Sequence, residues 1–241
     1  MKKIYSTIAF AFLFAISAKA QQDPNYTQYM YNMNVVNPAY AGSKDAVSGG
    51  LLYRAQWVDI SGAPRTGTFD IHSPVGKNVG LGFSAITDKI GPVDETNVYA
   101  DFSYTIHLGG DHKLALGLKA GATFQKVGYF TDIASAYLPQ SGDIAFRENS
   151  SNSYFNFGSG IFYYTNKYYL SVSVPNMLKQ TYLTINDNGQ QREFGSDIQH
   201  YFISGGYVFD LSETLKMKPS FLVKTAFGTT PSIDGSLNFL F

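Results

Sequence analysis

Four histidines, His72, His107, His112 and His200, are the side chains best suited to metal or acid–base chemistry. No two stand at a ligand spacing such as H-x3-H, and no H-E-x-x-H occurs, so they read as scattered residues. Asp94-Glu95 offers carboxylate oxygens to a cation such as calcium, but a lone acidic pair beside Pro92 fits a solvated loop better. Gly80-Leu81-Gly82-Phe83-Ser84-Ala85 matches G-x-G-x-x-A. A dinucleotide fingerprint must end a strand and open a helix, whereas this run lies inside a strand pattern. Its glycines read as small inward positions. There is no G-x-S-x-G, no P-loop and no cysteine. Thiolate chemistry, disulfides and a lipid-modified N-terminal Cys are excluded. The residues point to no enzyme, no cofactor and no metal site.

Two polar–aromatic groupings remain. Arg54, Gln56 and Trp57 end one strand pattern, and Gly62-Ala63-Pro64 before Arg65 turns into the next. The cluster suits a partner contact or a hydrogen-bond network inside a lumen. The second grouping is Gln21–Ser43, which holds Tyr26, Tyr29, Tyr31 and Tyr40 with Asn25, Asn32, Asn34 and Asn37. It has neither alternation nor an apolar run. Asp23 can cap a helix and Pro24 suits its first position. Tyr26, Met30 and Met33 then share a face, which predicts a short helix over Pro24–Met33, stopped before Asn37-Pro38. The partner-contact candidates in this segment are Asp23, Pro24, Tyr26, Gln28, Tyr29, Asn32, Asn37, Pro38 and Tyr40. Residues 21–45 are expected to plug a lumen or to form a periplasmic handle.

These groupings need a scaffold, and the rest of the 241-residue chain supplies its pattern. Residues 1–20 read as a signal peptide: Lys2 and Lys3, an apolar run from Ile8 to Ile16, then Ala18-Lys19-Ala20. The run is too short to span a bilayer as a helix, and no later segment is long and apolar enough. Lys+Arg and Asp+Glu are both 18, so the chain is neutral and unsuited to nucleic acid. Only 15% of residues are charged, while 16% are aromatic, which suits sheets facing something other than water.

From Ala46 to Phe241 the period is two, with about ten candidate strands. In Lys113–Gln125, Leu114, Leu116, Leu118 and Phe124 face one way, and Ala115, Gly117, Lys119, Thr123 and Gln125 the other. Asn97–Leu108 puts Asp101 and Ser103 opposite Phe102 and Tyr104 in the same manner. Several strands reach the ~9–11 residues that cross an outer membrane when tilted. Tight connections (73–78, 109–111, 165–167, 210–214) alternate with longer ones (58–64, 89–95, 126–152, 175–198). Short turns on one rim and long loops on the other belong to an outer-membrane barrel. Tyr163, Tyr164, Tyr168 and Tyr169 suit an interfacial girdle. The expected fold is all-β, an antiparallel transmembrane β-barrel over 46–241 with a short N-terminal helical segment. A soluble exported β-sandwich adhesion module is the competing architecture.

Asp23-Pro24-x-Tyr26-Thr27-Gln28-Tyr29-Met30-Tyr31-Asn32 followed by Asn37-Pro38-Ala39-Tyr40-Ala41-Gly42-Ser43 resembles the N-terminal signature of the PorP/SprF proteins. These are outer-membrane components of the type IX secretion and gliding-motility system of Bacteroidetes. The likeness continues through Tyr53-Arg54-x-Gln56-Trp57, Gly62-Ala63-Pro64, Gly80-Leu81-Gly82, Asp88-Lys89-Ile90-Gly91-Pro92 and Tyr163-Tyr164-x-x-Lys167-Tyr168-Tyr169. It implies a non-enzymatic barrel in outer-membrane lipid. Its implied partners are the periplasmic ring and motor proteins and the C-terminal domain of a large surface adhesin. Members of the family continue for several more strands, so the resemblance implies an incomplete longer barrel. A diffusion porin is the alternative function.

Overall fold

The computed structural model describes residues 31–128, 150–178, 181–187, 190–196 and 199–241. The expected leader (1–20), residues 24–30 of the expected helix and most of the 126–152 connection lie outside them.

Alternation sets the strands. The sheet contains β1 (Ser48–Ala55), β2 (Arg65–Pro74), β3 (Val79–Ile90), β4 (Val93–Gly109), β5 (His112–Val127), β6 (Ser150–Tyr164) and β7 (Tyr168–Val174). A hairpin of β8 (Thr181–Asp187) and β9 (Gln190–Ser196) stands apart, followed by β10 (His200–Tyr207), β11 (Phe209–Asp210), β12 (Lys216–Ala226) and β13 (Ser232–Leu240). All pairings are antiparallel, and the large sheet runs β1-β2-β3-β4-β5-β6-β7-β10-β12, with β11 and β13 also on β12. β10 and β11 pair with the same edge of β12 in one continuous register. They are one strand interrupted where Tyr207 falls opposite Pro219, which has no amide to donate, while on the other edge the Val208 amide continues the β7 register to the Lys167 carbonyl at 2.7 Å. The eleven-stranded sheet therefore has ten staves, as the alternation predicts.

Two expectations change. The 175–198 connection carries the β8–β9 hairpin. The 89–95 connection is a tight turn, because β3 and β4 stay paired to Ile90↔Val93. Gly91, at φ +56°, supplies the left-handed turn residue, and Lys89 meets Asp94 at 3.3 Å across it.

Burial on the two faces is inverted relative to a soluble sheet. Leu51, Phe83, Phe102, Leu116, Leu118, Phe157 and Ile233 are exposed on the convex face. Ser84, Asp101, Ser103, Lys119, Asn156 and Ser173 are buried on the other. A sandwich would bury the apolar set; lipid requires it outside. The sheet is also strongly curved. Ten strands ~4.8 Å apart would span roughly 45 Å if flat. Yet Met33 and Val36 pack in one cluster with Ala115 of β5, Phe162 of β6, Phe202 of β10 and Leu222 of β12. The strands curl around the N-terminal segment. β1 and β13 are the two edges and do not pair with each other, so this is an open, incomplete barrel.

The outward band yields a prediction. Leu118 lies near the middle of β5 and is 63% exposed. Leu118→Arg should destabilise the protein in liposomes by about 2–4 kcal/mol, read as a lower urea midpoint. An unchanged midpoint would contradict a lipid-facing position.

Candidate functional site

The described part of the N-terminal segment lies across the concave face. Its helical turn, α1, spans Met33–Val36, and a 3-10 turn spans Pro38–Tyr40. A helical turn starts at Met33, after the non-helical Asn32, where the expected helix was to end. Asn37 then ends it: its side chain accepts from the Ala39 amide at 2.9 Å and opens the 3-10 turn. Proline at the next position has no amide to leave unpaired.

The sheet receives this segment along two lateral rows of inward residues, fixed by strand register. One row is Gly80, Ser103, Gly117, Gly160 and Ser173, on β3 to β7 in turn. The segment runs along it in reverse. The Ser173 hydroxyl donates to the Val36 carbonyl at 2.8 Å. Asn37 Nδ2 donates to the Ile161 carbonyl at 3.0 Å and to Ser171 Oγ at 2.8 Å. A Cβ at Gly117 would collide with the Pro38–Ala39 backbone, and one at Gly160 with the Asn37 side chain. The Ser103 hydroxyl donates to the Ala41 carbonyl, and a Cβ at Gly80 would strike that same peptide. Gly42 has φ +69°, and a Cβ there would come within 2.5 Å of Gly80 Cα. Its amide donates to His72 Nδ1 at 3.2 Å.

The second row is Gly82, Asp101 and Lys119. Lys119 and Asp101 are directly opposite in the β4–β5 ladder, fully buried, with Nζ and Oδ1 3.2 Å apart. The ammonium also donates to the Val35 carbonyl at 3.0 Å and the Asn34 carbonyl at 3.3 Å. Both lie within the single turn of α1, whose carbonyls beyond Met33 lack partners within so short a helix. The Lys119 ammonium sits 5.0 Å from the Tyr99 ring centroid. Asn34 Nδ2 donates to Asp101 Oδ2 at 3.1 Å. Nearer β1, Asn32 donates to Asp70 Oδ1 at 3.1 Å and accepts from the Thr68 hydroxyl at 2.6 Å. Val35 fills a second apolar contact with Ile86 and Tyr99.

Among the sequence candidates, Asp23, Pro24, Tyr26, Gln28 and Tyr29 lie outside the described residues. Asn32, Asn37 and Pro38 are buried against the strands. Tyr40 is half-buried at the rim of short turns, edge-on to His72 and Phe162, and burial pushes its hydroxyl above the ordinary tyrosine range. Arg54, Gln56 and Trp57 stand at the opposite rim. Arg54 and Gln56 face inward, with Gln56 Oε1 accepting from Arg54 Nε at 3.0 Å. Beside them Thr66 donates to Asp88. Trp57 turns away, 67% exposed at φ +50°.

The expected girdle divides by parity. Tyr163 and Tyr168 face outward and continue through Tyr207 to Phe209, with Tyr168 and Tyr207 stacked at 6.1 Å. Tyr164 and Tyr169, one residue away from them, turn inward onto Phe162.

Residue-type reasoning missed Lys119, Asp101 and Asn34 as a unit. Asp101 and Lys119 were on the same face, and a tight turn joins their strands. A plain two-residue turn at Gly110-Asp111, however, would set Asp101 opposite Ala120. An irregularity between His107 and Gly109 shifts the ladder by one and brings Lys119 into place.

Two variants test this arrangement. Lys119→Met leaves Asp101 buried without its cation and should cost about 3–5 kcal/mol, read as a lower urea midpoint. Lys119→Met with Asp101→Leu should recover much of that loss. Gly117→Val should displace the segment without breaking the ladder. The expected sign is new protease cleavage near Pro38 while β-sheet circular dichroism is retained.

No group of three or more His, Asp or Glu residues close enough to hold a metal occurs among the described residues. A family profile described as type IX secretion system membrane protein PorP/SprF matches residues 18–241. No curated protein matches the chain. With 224 of its 241 residues inside that match, an apolar outward face and a curved antiparallel sheet, the chain belongs to the PorP/SprF family of type IX secretion system membrane proteins.

Proposed function

We propose that the protein is a non-enzymatic outer-membrane component of type IX secretion, exported behind residues 1–20 as a leader. It supports the export or surface anchoring of adhesins, and with it gliding motility, through protein contacts. Its partners are the periplasmic ring and motor proteins on one side and the C-terminal domain of a large adhesin on the other.

The observation that carries this reading is the occupied interior. Residues 32–42 cross the concave face and hydrogen-bond to β2, β4, β6 and β7. Ten strands already make a narrow barrel whose side chains nearly fill it. A diffusion porin needs that space as water. Short turns, including 110–111 and 165–167, fall on the rim where residues 40–45 emerge, the rim that faces the periplasm in bacterial barrels. The segment thus ends where a periplasmic assembly could meet it.

A chromosomal deletion tests the reading. Its expected result is loss of surface adhesin and of spreading on agar, both restored by the intact gene. In planar bilayers the purified protein should show no steady open-channel conductance. Unchanged secretion together with a steady conductance would replace this reading with the porin.

A further inference from the structure

At the rim of short turns, two hollows flank the point where the N-terminal segment leaves the lumen. One, of about 210 Å³, is walled by Tyr40, Phe162, Tyr164 and Tyr169, with Lys44 and Lys218 at its edge. The other, of about 250 Å³, is polar and carries Lys77, His107 and Lys113 against Asp45. Ser43 and Tyr164 border both, so the hollows are neighbours. Each holds a cation over an aromatic face: Lys218 lies 5.2 Å from the Tyr169 ring and Lys113 5.6 Å from Tyr164.

The charge balance is one-sided. No carboxylate lines the aromatic hollow. Of its lysines, Lys167 pairs with Asp210 at 3.2 Å outside the hollow. Lys44 and Lys218 also line the hollow, and Asp70, outside its lining, attracts Lys44. The polar hollow sets two lysines and a histidine against one acid. Positive charge beside exposed aromatic faces complements carboxylates flanking an apolar group. Either hollow is too small for a drug-sized ligand, and the aromatic one has room for a single side chain.

Parity decides between a protein and a lipid occupant. Phe162 and Tyr164 share the inward face with Gly160, Tyr169 with Ser171, and Lys218 with Ser220. The hollows therefore open into the mouth of the barrel. Lipid meets the other parity, the Tyr163–Tyr168–Tyr207 belt, of which Tyr168 alone reaches the edge of the aromatic hollow.

We propose that the paired hollows dock an acidic segment of a periplasmic partner protein, with one aromatic side chain seated between Tyr40 and Tyr169 and its flanking carboxylates on Lys44, Lys218 and Lys113. The proposal rests on the secretion reading, since it names the contact through which that partner engages.

The test uses the full chain in uncharged detergent and a fluorescent pentapeptide with one phenylalanine between pairs of aspartates. The acidic peptide should bind with an affinity that falls as salt rises. Replacing its phenylalanine by alanine, or its aspartates by lysines, should abolish binding. Lys44→Glu with Lys218→Gln should weaken binding by about tenfold or more, with the heat-modifiable gel mobility of the folded barrel unchanged. Lys89→Glu, at the opposite rim, should leave it unaltered. Equal binding of the basic peptide, full binding by the double variant, or competition by anionic-lipid vesicles but not by excess acidic peptide would each overturn the site. The deletion strain decides the secretion reading separately. Lost secretion there, with no peptide binding by the wild type, overturns the docking site alone.

Discussion

The backbone of residues 34–42 crosses a sheet interior where its carbonyls and amides must find partners away from bulk water. They find them on inward side chains: Lys119 at the Asn34 and Val35 carbonyls, Ser173 at Val36, Ser103 at Ala41 and His72 at the Gly42 amide. Much else in the fold follows from that requirement. Glycine stands at 80, 117 and 160 because the segment's own atoms occupy the space a side chain would take. Serine takes the other two places of the row, 103 and 173, because a short hydroxyl can reach a carbonyl without lifting the segment off the sheet. Lys119 is tolerated in full burial because Asp101, two carbonyls and the Tyr99 ring surround its ammonium.

This explains a sheet whose interior is neither a water channel nor an oil core. Apolar inward residues occur where the segment presents Met33, Val36 and Ala39, and polar ones where it presents peptide groups or, beyond it, where Glu95, Asn97 and Thr123 bond one another. The outward face obeys a separate rule set by lipid, so one strand serves two solvents through its period of two. Tyr163 and Tyr164 illustrate the division. They are adjacent and identical in chemistry, yet one joins the outward belt and the other closes the interior around Phe162.

Strand count, faces and most turns were legible in the sequence because alternation is a local property of consecutive residues. Lys119 and Asp101 could be placed on the inner face for the same reason. Their contact could not, since it hangs on a one-residue ladder shift near Leu108 that no local pattern announces. The Gly91-Pro92 turn was read as a longer loop because Lys89, Asp94 and Glu95 look like solvated loop residues. They are instead cross-strand partners at a rim. The N-terminal segment stood out by composition, but its path along Gly80, Ser103, Gly117, Gly160 and Ser173 is a product of five strand registers. The β8–β9 hairpin was missed for a related reason: its residues carry no clear alternation between apolar and polar.

The separation in sequence between the segment and its partners has a consequence for assembly. Val36 bonds to a residue 137 positions later, and Asn37 to one 134 positions later. The segment is the first of these parts to leave the ribosome, yet its last contacts cannot form until β7 has paired with β6. Closing so long a loop is entropically costly and slow, so these contacts should form late in folding. Until then Val35 can rest on Ile86 of β3 and Tyr99 of β4, but Met33 and Val36 lack Phe202 of β10 and Leu222 of β12. The front of the segment can therefore settle on the first strands, while Val36 and Asn37 wait for β7, so the interior fills from one side of the curling sheet to the other.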